Sequence, residues 1–476
     1  MSYNNHLHSG PALHVGRLPW LIFLFLAAVF FFVDHDLSSA KRGIDNYGQS
    51  ADDYIALVNE GPLTRRIALL SLGLFAIVSL VGRRTNVRLR INGPLGWILL
   101  SFTAWAFLSS IWAEDMPLTL RRLGVFGILC IAAVAVARRL SLRQIILWTF
   151  FSTTVFLVIG FIAEVHFGTF QPFATGYRFA GTLHPNGEGI GCALLTLSAV
   201  AAADAEKRWR PLFWACALLG FVFLILTASR SAFAAILPAL AAYFAAVSSR
   251  RAKTALGLGL CLVIGVCLFL LVRWDPPYSA LRRAALLGRD DSSVGSINGR
   301  IGVWEDVGYY IARRPLLGYG YGGFWTPTHI RVISDEEKWG VPESHSAYLD
   351  YLLTLGAVGL VAYTLLLIAG IRRAFQFQKV SRNSAFAFCG GLLVFCGFVG
   401  FLQSGAAVSS FPMFLTVVVL AQLAFVSRPK TTRIVNRYGR SILLEERCAS
   451  GASVIESGPE ARVITSGLPR DIKVMY

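Results

Sequence analysis

The chain has 476 residues, of which 55% are hydrophobic and 15% are charged, and its mean hydropathy is +0.59. Soluble domains usually carry about 25% charged residues, so this composition excludes an ordinary water-soluble enzyme. A soluble chain of this length would divide into several domains, whereas apolar stretches recur here along almost the whole length. The formal net charge of +17 is compatible with nucleic-acid binding or with membrane topology, and topology has to be examined first.

Twelve apolar stretches are long enough, with their flanks, to cross a membrane as helices. In chain order they are residues 18–33, 67–82, 95–112, 123–137, 145–167, 189–203, 212–228, 232–247, 255–272, 346–370, 384–402 and 409–426. The first stretch also resembles a cleavable signal peptide, because small residues follow it at 38–40, but Asp34 and Asp36 between them favour a retained helix. We therefore predict an all-α polytopic membrane protein of about twelve transmembrane helices.

Basic residues concentrate in alternate loops between these stretches. With the N-terminus in the cytoplasm, the inner loops contain Arg83, Arg84, Arg88, Arg90, Arg138, Arg139, Arg143, Lys207, Arg208, Arg210, Arg250, Arg251, Lys253, Arg372, Arg373, Lys379 and Arg382. This positive-inside pattern predicts a cytoplasmic tail (1–17), a membrane domain (18–426) and a large periplasmic loop (273–345) between spans nine and ten. Residues 427–476 are predicted to be a basic, mostly disordered cytoplasmic tail. The excess charge then fits anionic membrane lipids, and no nucleic-acid partner is predicted.

The cysteines and two short motifs give no credible metal or cofactor site. The eight cysteines form no CxxC pair and no Cys/His cluster, which is typical of small core residues. Residues 318–323 satisfy GxGxxG, but no strand precedes them and no helix opens at them, so we interpret them as a flexible turn. The Asp-x-Asp sequence at 34–36 is interpreted as a solvated helix end. We therefore predict no metal and no cofactor.

Polar residues at helix ends on the predicted outer face form the candidate site. His345 closes the long loop just before the tenth span, where the helix dipole keeps its ring neutral and able to accept a proton. A histidine that only caps the helix is the alternative. His184, Pro185 and Asn186 form a turn at the start of the sixth span. Pro185 forces His184 out of the helical region, and Asn186 can cap the helix.

Several arginines lie on the same predicted face. They are Arg121, Arg122, Arg178, Arg230 and Arg300. An arginine at mid-membrane costs about 2.5–3.5 kcal/mol, so Arg230, between two apolar stretches, requires a partner or an anionic ligand. Each arginine alone is compatible with snorkelling to the interface, but together they suit a diphosphate, because guanidinium groups pair phosphate oxygens bidentately. Transfer from a lipid diphosphate would need these cations and one base, such as His345, without a metal.

These residues resemble motifs of the O-antigen ligase and polysaccharide polymerase superfamily of bacterial envelope proteins. His345 and Ser346 are followed by nine residues, Gly356, two residues and Gly359, a spacing similar to the family's histidine signature. Further similar motifs occur in order at 112–115, at the His-Pro-Asn turn, at 229–231, at 298–300 with Trp304, and at 315–320. The resemblance extends from about the third span to the twelfth, and it does not include the 34–66 loop or the C-terminal tail.

The resemblance implies a C-type glycosyltransferase-like bundle in the bacterial inner membrane, with cytoplasmic termini and a periplasmic active face. It implies an undecaprenyl-diphosphate-linked glycan donor, a glycan or lipid A-core acceptor, and inverting transfer. Carried over by motif, His345 would be the catalytic residue, Arg230 and Arg300 would contact the diphosphate, and either Arg121 or Arg122 would join them. The motifs do not distinguish ligase from polymerase. A transporter or flippase of a lipid-linked glycan is the alternative, and it would place polar residues along a path through the bilayer.

Overall fold

The computed structural model describes residues 17–42, 50–82, 89–91, 93–174, 176–249, 295–404 and 409–426, together with short strands between 431 and 474. The helices of these residues are α1 (Arg17–Asp34), α2 (Leu37–Arg42), α3 (Ala51–Asn59), α4 (Leu63–Val81), α5 (Gly93–Leu108), α6 (Met116–Arg139), α7 (Leu142–Phe167), α8 (Pro185–Ala205), α9 (Arg210–Leu226), α10 (Arg230–Val247), α11 (Gly295–Arg313), α12 (Pro327–Glu337), α13 (Ala347–Ser381), α14 (Ser384–Val399) and α15 (Phe411–Ala421). Short 3₁₀ segments follow α5 (Ser109–Ile111) and precede α9 (Lys207–Trp209), and a π-helical turn (Gln422–Val426) extends α15.

The apolar helices coincide with the predicted spans. In the described part of the chain, eight helical segments are long and apolar enough to cross a membrane, namely α4, α5 with its 3₁₀ extension, α6, α7, α8, α9 with its 3₁₀ extension, α10 and α13. Three shorter apolar segments, Pro19–Asp34, Ser384–Val399 and Phe411–Val426, match the first, eleventh and twelfth predicted spans. The ninth predicted span (255–272) lies outside the described residues. A polytopic membrane protein is therefore supported, while the total of twelve spans and the loop position stay predictions.

Helix α8 lies at the centre of the bundle and packs against α7, α9, α10 and α14. Its sequence is rich in Gly and Ala, which allow close helix approach where apolar surroundings offer little hydrophobic driving force. A Cβ at Gly189 would lie 2.6 Å from Cβ of Ser229, and one at Gly220 of α9 would lie 2.9 Å from Oγ1 of Thr196. This packing places the start of α8 beside the start of α10.

Helix α13 bends at Gly356, where the backbone has φ 69° and ψ −171°. Only glycine adopts this conformation readily. The bend admits the turn that precedes α12: Ala357 donates its N–H to the carbonyl of Pro315 at 2.8 Å, and a Cβ at Gly356 would collide with the carbonyl oxygen of Leu316. The segment of α13 that follows His345 is therefore fixed against this turn.

A second, smaller core joins α11, α12 and α3. Its buried residues include Val303 and Val307 of α11, Phe324, and Ile330 of α12. Side chains of α3, among them Ile55, pack against it. We call α11, α12 and the turn between them (residues 314–326) the loop layer, and this layer packs against α13.

At the end of the bundle opposite His345, polar side chains bind the carbonyls that end the helices. Arg138 and Arg139 close α6 and donate to the carbonyls of Leu80 and Ser79 at the end of α4, at 2.9 Å each. Positive charge is favourable at a helix C-terminus. Helix α6 has 24 residues and therefore a length of about 36 Å. We call the end of the bundle at the C-terminus of α6 the Arg138 end, and the end at the start of α6 the His345 end.

Within residues 427–476 the structure describes four short strands. Strands β1 (Thr431–Val435), β2 (Ser441–Glu445), β3 (Ser453–Ile455) and β4 (Lys473–Val474) form an antiparallel sheet in the order β3-β2-β1-β4. The first two strands are rich in Thr, Ile, Val and Leu, which favour a pleated strand. The other residues of this tail lie outside the described ones, and its predicted disorder stays a prediction.

Candidate functional site

His345 lies immediately before α13 with a left-handed backbone, φ 55°. The helix cap itself is Ser346, whose Oγ accepts from the N–H of Leu349. The side chain that caps the helix is therefore that of Ser346, and the alternative that His345 serves only as the cap is wrong. Its ring stacks on Trp339 with centroids 5.4 Å apart, and its Nδ1 lies 3.3 Å from Oε1 of Glu343.

The two ring nitrogens of His345 have different surroundings. Nδ1 lies beside the Glu343 carboxylate, whereas Nε2 is buried and has no hydrogen-bond partner among the described residues. The side chain as a whole keeps 20% of its surface exposed. When Nδ1 carries the proton of the neutral ring, Nε2 carries the lone pair. The geometry thus suits a proton acceptor that acts through Nε2.

Two tryptophans fix the chain on the N-terminal side of His345. Trp304 of α11 donates from Nε1 to the carbonyl of Ser344 at 2.9 Å. Trp325 donates from Nε1 to Oδ1 of Asp350 at 3.1 Å, and the same oxygen lies 3.2 Å from the backbone N–H of Ser344, which donates to it. Ser344 and Asp350 are buried. The loop layer and the first turn of α13 thus hold the His345 segment from both sides.

Arg300 and Arg122 both lie on elements that support this segment. Arg300 is one turn before Trp304 on α11, so the two residues share a helix face. Arg122 of α6 donates from Nη2 to the carbonyl of Trp325 at 3.2 Å and from Nη1 to the carbonyl of Gly322. Arg122 is therefore connected through Trp325 to the surroundings of His345, and Arg300 lies on the helix that contributes Trp304.

The glycine-rich sequence at 318–323 forms the predicted turn, and its glycines serve close packing. Gly318, Gly320 and Gly322 all have positive φ. A Cβ at Gly322 would lie 2.5 Å from Cδ of Arg122, and one at Gly320 would lie 2.5 Å from Cβ of Ala113. The turn lies between helices α11 and α12, whereas a dinucleotide-binding turn follows a strand.

The His-Pro-Asn turn forms a second polar group at the start of α8. Arg178 donates from Nη2 to Oδ1 of Asn186 at 2.7 Å and from Nε to the carbonyl of Thr227 at 3.0 Å. The predicted cap was Asn186, but the residue at the cap is His184, whose Nδ1 accepts from the N–H of Asn186 at 3.2 Å. The reason is Pro185, which has no N–H and keeps His184 extended at φ −69° and ψ 143°.

The Ser-Arg-Ser sequence connects this group to the start of α13. Ser229 occupies the cap position of α10, and Arg230 is the first residue of that helix. Gln403 donates from Nε2 to Oγ of Ser231 at 3.0 Å, while its carbonyl accepts from the N–H of Ala347 at 3.1 Å. Arg230 therefore lies one residue from a direct hydrogen-bonded connection to the helix that follows His345.

Arg121 has a different environment from its neighbour Arg122. Its guanidinium donates to the carbonyls of Val58 and Asn59 at the end of α3. Its side chain is exposed, and it complements the C-terminus of that helix. The resemblance implied either Arg121 or Arg122 as a diphosphate contact. Of these two residues, Arg122 contacts the loop layer that supports His345.

The Asp-His-Asp segment at 34–36 is a solvated helix end only in part, because Asp36 is exposed whereas Asp34 and His35 are partly buried and hydrogen-bonded. Asp34 accepts the N–H of Phe411 at 2.7 Å, and Nδ1 of His35 lies 2.6 Å from Oγ1 of Thr182. His35 also stacks on Phe31. Burial lowers the pKa of His35 to about 3, so its ring is neutral near pH 7. The sequence signal was an Asp-His pair directly after a Phe-rich helix, a position that helix packing can bury.

Buried carboxylates are further residues that the sequence reasoning missed. Glu164 of α7 accepts from the backbone N–H groups of Ala180 and Gly181 at 2.8 Å each and from the Tyr177 hydroxyl. Glu188 lies buried in the first turn of α8. Charged residues within apolar stretches are the signal that would have identified both. Glu164 organises the backbone that leads into the His-Pro-Asn turn.

The described residues contain no group of three or more His, Cys, Asp or Glu side chains able to bind a metal ion. At this end His345 pairs with Glu343, and helices α6, α10 and α11 carry the arginines that were predicted to bind the diphosphate. Such a set can bind a polyanion and transfer a proton.

A family model described as O-antigen ligase matches residues 215–364, about a third of the chain. The matched segment runs from α9 into α13 and contains Arg230, Arg300 and His345. Arg121, Arg122, Arg178, His184 and Asn186 lie outside it. The match confirms the resemblance to the O-antigen ligase and polymerase superfamily and supports an enzyme of that general type. Together with the apolar helices, it supports an integral bacterial membrane protein. A comparison with curated proteins gives no match.

Proposed function

We propose that this membrane protein, matched over residues 215–364 to the O-antigen ligase family, transfers or polymerises an undecaprenyl-diphosphate-linked glycan onto a sugar hydroxyl. The acceptor is a glycan or lipid A-core. The observation that carries the proposal is the environment of His345, whose buried Nε2 lacks a partner among the described residues while Nδ1 lies beside Glu343. A base of this kind suits sugar transfer from a diphosphate, for which the predicted arginines would supply the positive charge.

In the proposed reaction His345 removes the proton from the acceptor hydroxyl. The hydroxyl oxygen then attacks the anomeric carbon from the face opposite the leaving group, so the configuration inverts. The bond from carbon to diphosphate oxygen breaks, and the electron pair leaves on the diphosphate. No strong general acid is required, because the diphosphate is stable as an anion. Arg230, Arg300 and Arg122 supply positive charge where this anion develops, and the reaction is metal-independent.

Arg178, His184 and Asn186 have a supporting role in this proposal. Arg178 connects the start of α8 to the end of α9 through Asn186 and the Thr227 carbonyl. This contact fixes the turn beside Arg230. The N-terminus of α8 also presents backbone N–H groups, which favour an anion. We therefore propose that this group borders the donor phosphates.

The active face is proposed to be periplasmic, in the bacterial inner membrane, with both termini in the cytoplasm. The support is the distribution of basic residues, since Arg138, Arg139 and Arg143 lie at the end of the bundle opposite His345. Anionic lipid headgroups on the cytoplasmic side would bind these basic loops.

The test uses purified protein in lipid nanodiscs with undecaprenyl-diphosphate glycan and acceptor. The wild-type protein is expected to form a new glycosidic bond, and His345→Ala is expected to lower the rate at least about 100-fold. His166→Ala is the matched control, because His166 is exposed at the end of α7 and belongs to neither polar group. Full activity of His345→Ala contradicts the mechanism. Glycan that crosses vesicle membranes without bond formation would indicate a transporter instead.

The product in a deletion strain distinguishes ligase from polymerase. Loss of long chains, with a single repeat unit still attached to the acceptor, indicates a polymerase. Loss of all attachment, with long chains retained on the lipid carrier, indicates a ligase. Complementation with the wild-type protein and with His345→Ala shows whether the change depends on the proposed base.

A further inference from the structure

We propose that Glu343 is a positioning residue for His345, so that Nε2 is the atom that takes the acceptor proton. The inference rests on the proposed function. It adds the residue that orients the base and stabilises its protonated form. Oε1 of Glu343 lies 3.3 Å from Nδ1 of His345, and the carboxylate is partly exposed, at 26%. A carboxylate at one ring nitrogen selects the tautomer whose lone pair is on the other.

The backbone between Glu343 and His345 makes this pairing rigid. Ser344 is buried, its carbonyl accepts from Trp304, and its Oγ donates to the carbonyl of Ser346 at 2.8 Å. His345 itself has φ 55°, a left-handed conformation that a non-glycine residue rarely adopts. This conformation turns the ring back toward Glu343, two residues earlier. A strained residue held by such contacts is typical of a functional site.

Trp339 limits the rotation of the imidazole. Its ring stacks nearly parallel to that of His345, at an interplanar angle of 21°. The stacking fixes the plane of the imidazole, and the carboxylate then fixes its direction within that plane. Nε2 is left buried without a partner in the described part of the chain. The acceptor hydroxyl is the group that this atom is placed to meet.

The carboxylate has a second effect once the proton has moved. The proton of the acceptor O–H passes to Nε2, the oxygen lone pair forms the glycosidic bond, and the diphosphate leaves with the pair from the broken bond. His345 is then an imidazolium, and the adjacent Glu343 carboxylate stabilises that charge. The imidazolium returns its proton to water before the next turnover.

Replacement of Glu343 leaves the other charged groups of the proposed site in place. Asp350 lies on α13 and interacts electrostatically with Glu343. The proposed diphosphate contacts lie on other helices, Arg300 on α11, Arg122 on α6 and Arg230 on α10. A loss of kcat that follows replacement of Glu343 alone therefore reports on the carboxylate.

The test compares Glu343→Gln with Glu343→Ala in the nanodisc transfer assay. Gln keeps an oxygen near Nδ1 but removes the charge, so we expect kcat to fall about 10-fold; Ala removes both, so we expect about 100-fold. KM for the acceptor should change little, because Glu343 is proposed to act on the base and not on acceptor binding.

Glu336→Gln is the matched control, because it removes the same charge from an exposed site on α12. Its kcat and KM should be those of the wild type, and Glu343→Asp should recover part of the rate lost in Glu343→Ala. An unchanged kcat per folded molecule in Glu343→Gln overturns the inference, even where the amount of protein falls. If the wild type and Glu336→Gln both form no product, the proposed function fails and this inference fails with it.

Discussion

The two ends of the helix bundle use polar side chains in different ways. At the Arg138 end, Arg138 and Arg139 donate to the carbonyls that close α4, and Gln422 donates to the carbonyls of Ala137 and Leu140 at 2.7 Å each. These groups complete helices. At the His345 end Arg121 also completes a helix, whereas Arg122 and Trp304 bind turns and irregular backbone around a residue with positive φ.

The comparison shows that the role of an arginine at a helix end depends on the group that it binds. Arg121 and Arg139 both bind carbonyls at the C-terminus of a neighbouring helix, and their contacts account for their positions. Arg122 binds carbonyls of the loop layer that supports His345. Polar groups at the Arg138 end are thus expected to affect stability, and those at the His345 end to affect transfer as well.

The largest effect is expected for Gly356→Ala, which changes the backbone of the His345 end. A Cβ at this position is strained by the local φ and collides with the Leu316 carbonyl. We expect a loss of about 3 kcal/mol or more, with little folded protein, measured as the thermal unfolding midpoint in detergent.

Gly191→Ala is the control for Gly356→Ala, because a Cβ at Gly191 of α8 would point into open space, with no neighbouring side chain within 4 Å. It should leave the unfolding midpoint unchanged or slightly raised, since Ala has the higher helix propensity. Wild-type stability of Gly356→Ala would show that the bend is not required.

At the Arg138 end, Gln422→Leu is expected to cost about 1–3 kcal/mol. Gln422 is buried, and its removal leaves the carbonyls of Ala137 and Leu140 without this donor. Transfer per folded molecule should stay that of the wild type. A variant with normal stability but low transfer would show that the Arg138 end also contributes to function.

Trp325→Phe tests the His345 end with a smaller change. The substitution keeps an aromatic ring but removes the N–H that donates to Asp350. We expect a loss of about 1 kcal/mol in stability, and a larger relative loss of transfer because the support of Ser344 loosens. The unfolding midpoint and the transfer rate are to be measured on the same samples. Unchanged transfer would show that this hydrogen bond is not needed for the function of the site.

The smallest effect is expected for Arg331→Gln, which breaks the ion pair with Asp52 at 2.6 Å between α12 and α3. Both side chains are mostly exposed, so solvent screens their attraction. We expect a change within about 0.5 kcal/mol, most visible at low salt, and normal transfer. A large loss of transfer would show that α3 has a direct role at the site.

The apolar helices of the described residues were predictable from sequence, because apolar length is a local signal. The spacing from His345 to Gly356 is also local, and it selected the histidine whose catalytic role stays a proposal. The supporting contacts were not. Trp304, Trp325 and Gln403 act through residues 25 to 172 positions away along the chain, and single-sequence patterns do not report such pairings. The burial of His35 likewise depends on α7 and on the loop before α8.

The most direct test of this division compares Arg300→Gln with Arg139→Gln, one arginine from each end, in the transfer assay and in thermal unfolding. Arg300→Gln is predicted to lower transfer per folded molecule at least about 100-fold, because its charge is proposed to act on the departing diphosphate. Arg139→Gln is predicted to lower the midpoint and to keep wild-type transfer per folded molecule. Equal loss of transfer in both variants, or full activity of Arg300→Gln, would contradict the account.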